Sequence, residues 1–228
     1  YPGLLESAAH GALSRYDILF AFPSAAITLH PDGRVRDEHG NDRGNRFIDA
    51  LDVAWRAERT ACAPAAPAGR RPSSGPQAPF CGGWLLFLSY ELAAEIEPRL
   101  RLPASPDTQL PVALALRCPA AIIGDREHRR TYLVAESGRE SLLDAMQADL
   151  DSMRPISVSD CAAATIEEDA PERFQRGIAA IHEYLRAGDV FQVNLSREWR
   201  AQFREQVTPA DVFASLRRAN PAPFAGLL

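Results

Sequence analysis

The clearest periodicity in this chain is an apolar repeat in its last third. Four apolar residues follow one another at intervals of four, three and four positions: Phe174, Ile178, Ile181 and Leu185. This spacing places apolar side chains on one face of an α-helix. The pattern therefore predicts an amphipathic helix from Glu172 to Ala187.

The residues that flank this repeat carry helix-capping signals. Asp169 is a candidate N-cap, because its carboxylate can accept hydrogen bonds from the first free amides of a helix. Pro171 fits the first turn, and Glu172 lies three residues beyond the candidate cap. Gly188 can adopt the left-handed conformation that ends many helices. Both ends of the helix are therefore predicted from the sequence.

After Gly188 the apolar period changes to two, which is the period of a β-strand. Three apolar residues, at 191, 193 and 195, alternate with the polar Gln192 and Asn194. The pattern predicts a strand from Val190 to Ser196 with one apolar face. Its two carboxamides either form an ordinary solvated face or, if buried, need hydrogen-bond partners.

The rest of the chain indicates paired strands with helices between them. Strands are predicted at Tyr16–Phe22, Ala25–Leu29, Val112–Leu116, Ala120–Ile123 and Thr131–Ala135, with a turn at Pro31, Asp32 and Gly33 that predicts a hairpin. Helices are predicted after Asn45 with Phe47, Leu51 and Trp55 on one face, around Leu142, Met146, Leu150 and Met153, and from Thr208, Pro209 and Asp211 to Asn220. Strands and helices do not alternate strictly. We therefore expect an α+β fold of mostly antiparallel sheets with packed helices.

A proline-rich stretch interrupts the first half of the chain. Residues 60–79 hold five prolines among alanine, glycine and serine, a composition that predicts a flexible surface loop. We interpret it as a variable insertion within one region and not as a boundary between two domains. The predicted organisation is a first region over residues 1–160 and a second over residues 161–228.

Composition narrows the range of functions. A net charge of −5 argues against a nucleic-acid partner, which normally shows a basic excess. The most apolar run, Trp84–Leu88, is far shorter than the roughly 20 residues that cross a bilayer, so we expect no membrane role. The four cysteines form no C-x-x-C pair, and we expect free thiols in the cytoplasm.

Several stretches of the chain resemble chorismate-utilising enzymes, namely component I of aminodeoxychorismate synthase and of anthranilate synthase. The helix followed by GDVFQVNLS (Gly188–Ser196) resembles one family signature. Three more resemble other signatures in the same order: LLESA (Leu4–Ala8) with SRYDILFAFP (Ser14–Pro23), GGWLLFLSYELAAEIE (Gly82–Glu97) and NPAPFAGLL (Asn220–Leu228). QVNL and FAGLL are closer to the aminodeoxychorismate branch.

The resemblance implies a parent enzyme that aminates chorismate to 4-amino-4-deoxychorismate for 4-aminobenzoate and folate synthesis. It also implies a glutamine amidotransferase, separate or fused, that supplies ammonia. One alternative is anthranilate synthase component I, which serves tryptophan synthesis and also eliminates pyruvate. Another, from a different class, is a non-catalytic tryptophan-binding module.

The catalytic part of the family pattern is missing from this chain. Family members continue into a segment whose lysine is the nucleophile in the aminodeoxychorismate branch, and into glutamates that bind magnesium. Here all 25 basic residues are arginine, and a guanidinium is no nucleophile. We therefore expect the N-terminal half of a longer protein, inactive alone, with no catalytic residue or metal ligand of its own.

Two candidate sites follow from the resemblance. In the family, the LLES stretch, the residues shortly after it and a later Pro-x-Pro-aromatic segment line a pocket for L-tryptophan. The corresponding residues are Glu6, Ser7, Ser14, Arg15, Tyr16, Asp17, Pro223, Phe224 and Ala225. The alternative is that LLES forms only a strand held against the last segment. Gln192 and Asn194 are expected in the wall of the active centre.

Overall fold

The computed structural model describes residues 1–9, 11, 13–61, 78–102, 110–154, 161, 163–203 and 207–228. Their strands are β1 (Gly3–Glu6), β2 (Tyr16–Ala21), β3 (Ala25–Leu29), β4 (Val35–Asp37), β5 (Gly83–Leu88), β6 (Ala113–Cys118), β7 (Ala120–Asp125), β8 (Arg130–Ala135), β9 (Ala163–Glu168), β10 (Trp199–Phe203) and β11 (Ala225–Leu227). Their α-helices are α1 (Phe47–Ala61), α2 (Ala93–Ile96), α3 (Ser141–Ser152), α4 (Pro171–Ala187) and α5 (Pro209–Ala219).

The chain forms two compact units. The first contains Tyr1–Arg154 together with Pro221–Leu228, and the second contains Pro155–Asn220. The first unit therefore holds both ends of the chain. No helix within the described ranges is long and apolar enough to cross a membrane.

Two antiparallel sheets make up most of the first unit. One has the strand order β11-β1-β2-β7-β8, and the other has the order β4-β3-β6-β5. Phe20 of the first sheet packs with Leu85 and Cys118 of the second. Gly3 allows a close approach between the sheets, since a Cβ atom there would lie 2.7 Å from Leu85 Cδ2. The expected antiparallel α+β architecture is confirmed.

Helices cover both sheets of the first unit. In α1, Phe47 is buried against Val35 and Leu92, while Met146 of α3 is buried on the five-stranded sheet. Glu95 caps α1 from a distant part of the chain: its carboxylate accepts hydrogen bonds from the amide of Phe47 at 2.7 Å and from that of Ile48 at 3.2 Å. A carboxylate is favoured there because the amino end of a helix carries partial positive charge.

The second unit combines a two-stranded sheet with two amphipathic helices. Strands β9 and β10 pair in antiparallel fashion. Helix α5 begins with a capping box, in which Thr208 and Asp211 each bond the other's backbone amide. Helix α4 has no buried residue, and Ile178 and Leu185 are nearly two-fifths exposed. This unit therefore leaves much of its apolar surface uncovered.

Most predicted elements form within one or two residues of their expected bounds. The hairpin of β3 and β4 is present, with Gly33 in the left-handed region, and α4 ends at Gly188 with φ of 79°. The predicted loop over residues 60–79 lies mostly outside the described residues. The predicted regions 1–160 and 161–228 differ from the observed units in that the last eight residues return to the first unit.

Three local predictions are wrong. The N-cap of α4 is Ala170, with no side-chain cap, so Asp169 does not have the expected role. Met153 lies beyond α3 and is 65% exposed, whereas it was predicted as part of this helix. Residues 192–198 form no strand. A strand needs a neighbour to pair its amides, and β9 is bonded to β10 in the described sheet.

Candidate functional site

Strand pairing brings the ends of β1, β2 and β11 together at one edge of the five-stranded sheet. Strand β1 lies between the other two, and its register places Glu6 opposite Ala225. The backbone amide of Ser7 donates a hydrogen bond to Asp17 Oδ1 at 3.0 Å. Glu6, Ser7, Asp17 and Ala225, which are far apart in sequence, are therefore neighbours. These are the residues of the predicted tryptophan-type pocket that the fold brings together.

Arg126, in the turn between β7 and β8, bridges the two carboxylates of this edge. Its Nε lies 2.8 Å from Asp17 Oδ2, and one terminal nitrogen lies 3.0 Å from Asp17 Oδ1 and 2.9 Å from Glu6 Oε1. The Glu6 side chain is 6% exposed, and that of Arg126 is 32% exposed. The hydrogen bonds to Asp17 raise the pKa of the guanidinium. The two carboxylates among the predicted pocket residues thus already share an internal cation.

A second ionic cluster adjoins the first through Arg15 and Tyr16. Arg15 forms an ion pair with the fully buried Asp125 at 3.2 Å, and its guanidinium stacks over the Tyr16 ring at 4.7 Å. His128 contacts Asp125 at 3.0 Å. Burial acts to raise the pKa of Asp125, but the bonds from Arg15 and His128 outweigh it, so the pKa lies well below its usual range. Arg15 and Tyr16 are therefore anchored to the β7–β8 turn.

The other predicted pocket residues lie on the flanks of the edge. Ser14 is half-buried, and its amide donates to the Gly11 carbonyl. Phe224 is 77% exposed, while Pro223 beside it is half-buried. The Ala9 amide bonds the Ala222 carbonyl at 3.0 Å, which fixes the last segment against the first. The LLES stretch is therefore paired with the last segment, as both the pocket and the strand alternative require, and the pocket itself stays a prediction.

Gln192 and Asn194 lie in the second unit. Both are exposed, and their side chains share a hydrogen bond of 3.3 Å. Leu195 of the same segment packs on α4, since a Cβ atom at Gly177 would lie 3.0 Å from Leu195 Cδ2. Of the two predicted alternatives for these carboxamides, the described residues show the exposed one. Their place in an active-centre wall stays a prediction.

The side chains of Asp125, Glu127 and His128 are close enough together to be considered as a metal site. Their charge balance argues against magnesium, because Arg15 pairs with both Asp125 and Glu127. Magnesium also prefers oxygen ligands and bound water to imidazole. These residues do not fit the ion that the family resemblance implies.

A cavity of about 590 Å³ lies between α1 and β5, where the sequence indicated no site. Arg117 closes one end; its guanidinium pairs with Glu58 and Glu136, both at 2.5 Å. It also donates to the carbonyl oxygens of Gly83 and Cys118, each at 3.2 Å. Arg117 thus joins α1 to both sheets. The sequence feature that could have indicated this ion-pair cluster is the single arginine within the otherwise apolar strand sequence ALALRC.

Similarity to known proteins extends over nearly the whole chain. The model of the chorismate binding enzyme family matches residues 13–228. The chain belongs to this family. The chain is also 28% identical over 223 residues to aminodeoxychorismate synthase component 1 of Klebsiella aerogenes, a match that covers 96% of this chain and 46% of that protein. Anthranilate synthase component 1 of Streptomyces coelicolor is 30% identical over 166 residues, covering 64% of this chain and 32% of that protein.

A solved structure has the same fold as this chain. Anthranilate synthase component I from Streptococcus pneumoniae superposes with a TM-score of 0.65 at 18% identity, over 93% of this chain and 47% of that one. The chain therefore spans about half the length of the Klebsiella and Streptococcus proteins.

Proposed function

We propose that this chain is the N-terminal half of an aminodeoxychorismate synthase large subunit. The observation that carries the proposal is the extent of the matches. The aminodeoxychorismate synthase components align over 94–96% of the chain, whereas the anthranilate synthases of Streptomyces and Acinetobacter align over 64–65%. The sequences QVNL and FAGLL favour the same branch.

The proposed reaction replaces the ring hydroxyl of chorismate with ammonia, giving 4-amino-4-deoxychorismate and water. A glutamine amidotransferase, separate or fused, supplies the ammonia. The nucleophilic lysine and the magnesium ligands belong to the other half of the enzyme, because this chain has no lysine and its acid cluster does not suit magnesium. The half described here packs against the catalytic half and carries a tryptophan-type pocket.

The second unit exposes apolar residues that could form an interface with the catalytic half. Phe191 is fully exposed, and Trp199 and Phe203 of β10 are 56% and 38% exposed. Exposed apolar surface of this kind is typical of an interface with another part of a protein. We propose that the catalytic half covers it and that Gln192 and Asn194 then become part of the wall behind the active centre.

Anthranilate synthase component I remains the second candidate, because the Streptomyces enzyme has the higher identity of 30%. The two reactions differ in their products, since anthranilate formation also releases pyruvate. The test uses the complete natural protein that contains this chain, with its amidotransferase, chorismate, glutamine and magnesium. We expect 4-amino-4-deoxychorismate by mass spectrometry and no pyruvate in a coupled lactate dehydrogenase assay.

The possible results separate the hypotheses. Anthranilate with stoichiometric pyruvate would establish the second candidate. Consumption of no chorismate by the complete folded protein would refute both. The present chain alone, assayed in parallel, is expected to leave chorismate unchanged.

A further inference from the structure

Arg126 has an unusual position among the ion pairs of the first unit. It is not part of the sheet itself but lies in the turn after β7, and from there it reaches the carboxylates at the ends of β1 and β2. Its two hydrogen bonds to the Asp17 carboxylate are 2.8 and 3.0 Å long and form a bidentate contact. Arginine suits such a bidentate contact because its donors lie in one plane.

We propose that Arg126 is an internal counter-cation that closes this site to the ammonium group of an amino-acid ligand. The proposal rests on the tryptophan-type pocket included in the proposed function, and it adds an autoinhibitory contact to that pocket. Glu6 and Asp17 are the two carboxylates among the predicted pocket residues, so the ammonium group of a ligand would bind to their oxygens. In the present structure those oxygens accept hydrogen bonds from Arg126, and Asp17 Oδ1 also accepts one from the Ser7 amide.

The exposure of Arg126 explains how the site could open. About a third of its side chain is exposed, whereas the side chain of Arg117, which joins α1 to both sheets, is 9% exposed. A guanidinium at the surface can leave its partners and become hydrated, so its ion pairs are weaker than buried ones. An amino acid can therefore enter only by displacing Arg126, and its apparent affinity is reduced by the fraction of molecules in which the contact is closed.

The test compares two ligands by isothermal titration calorimetry on matched variants of the complete natural protein that contains this chain. L-Tryptophan carries an ammonium group, and indole-3-propionate lacks it. We expect Arg126→Gln to increase the affinity for L-tryptophan by about tenfold or more, the scale set by hydrogen bonds to charged groups. The same variant should give no gain for indole-3-propionate. Arg130→Gln, at an exposed arginine four residues further along, is the control and should bind both ligands as the unsubstituted protein does.

Circular dichroism and the thermal midpoint establish that each variant is folded. If Arg126→Gln is not folded, Arg126→Lys is used in its place. The lysine keeps the positive charge but cannot form the planar bidentate contact, so the gain in L-tryptophan affinity should be smaller. Equal L-tryptophan affinity in the parent and in the Arg126 variant would overturn the closing contact but leave the pocket standing. Absence of L-tryptophan binding in every folded variant would overturn both, while the chorismate assay would still decide the reaction independently.

Discussion

At the scale of single residues, buried or half-buried arginines organise the first unit. Arg117 and Arg126 each connect segments that are distant in sequence, and each forms ion pairs with two carboxylates. Removal of one partner from such a group leaves charges without compensation, which costs more than the loss of a surface ion pair. The stability of this unit should therefore be sensitive to a few arginines and insensitive to many others.

Arg117→Met is expected to lower the free energy of unfolding by about 2–4 kcal/mol, because Glu58 and Glu136 would lose a nearly buried cation. This change in the free energy of unfolding is measured by urea denaturation in a Trp199→Phe background, with the fluorescence of Trp55 and Trp84 as the signal. Arg56→Met removes an exposed i,i+4 pair with Asp52 and should change stability by less than about 0.5 kcal/mol. Equal effects of the two substitutions would contradict the role given to Arg117.

Asp125 should make the first unit sensitive to acid. Its folded-state pKa is depressed, so its stabilising contribution is complete above the unfolded pKa of about 4 and is lost as pH falls towards the folded value. Asp125→Asn should lower the urea midpoint at pH 7 and weaken its fall below about pH 4. Asp144→Asn, at an exposed helical position, should keep the parent pH profile. An unchanged acid limb in Asp125→Asn would show that other groups control it.

The residues of the candidate site were only partly predictable. Glu6, Ser7 and Asp17 were found through the LLES and SRYD motifs, and the fold brings them together. Arg126 was missed, because nothing in a turn sequence indicates which distant carboxylates an arginine will reach. Its partners lie 109 and 120 residues away in the chain.

At the scale of elements, local signals were sufficient where an element is stabilised by its own residues. Helix α5 shows this well, since Thr208, Asp211 and Asn220 mark its two ends in the sequence and in the structure. The strand predicted at residues 190–196 failed for the opposite reason. An alternating pattern predicts which side chains would share a face, but a strand forms only where another strand supplies hydrogen bonds.

Gly188 provides a test of the local signal that ends α4. Its φ of 79° is strained for a residue with a Cβ atom. Gly188→Ala should destabilise the second unit by about 1 kcal/mol, measured by helix loss in circular dichroism during urea denaturation. Gly188→Asn is the matched variant, because asparagine tolerates the left-handed region, and it should cost clearly less. Equal losses would mean that the conformation of this residue does not limit the helix.

At the scale of the whole molecule, the last segment belongs to the first unit. Strand β11 pairs with β1, so that the chain returns to its beginning after passing through the second unit. This return creates the edge at which Glu6 and Ala225 meet. The candidate site thus depends on a contact of high sequence separation.

Deletion of Pro221–Leu228 should expose this dependence. Loss of β11 removes one hydrogen-bonded neighbour of β1, so amide exchange in Gly3–Glu6 should accelerate by about tenfold or more. Exchange in Ala113–Cys118, at the centre of the other sheet, should change little. Phe224→Ala is the control, because it keeps the backbone and alters an exposed side chain. Uniform acceleration in both sheets would show that the segment supports the whole unit instead.

The sequence by itself determined the family, the antiparallel α+β class, most strands and helices, and the residues of the LLES and Pro-x-Pro motifs. These features depend on local periodicity, capping and short motifs, which a linear chain displays directly. Only the tertiary structure decided that β11 pairs with β1, that Glu95 caps α1, and that Arg117 and Arg126 bridge separate elements. These contacts join residues far apart in sequence, and their energy depends on burial and distance, which no linear pattern specifies.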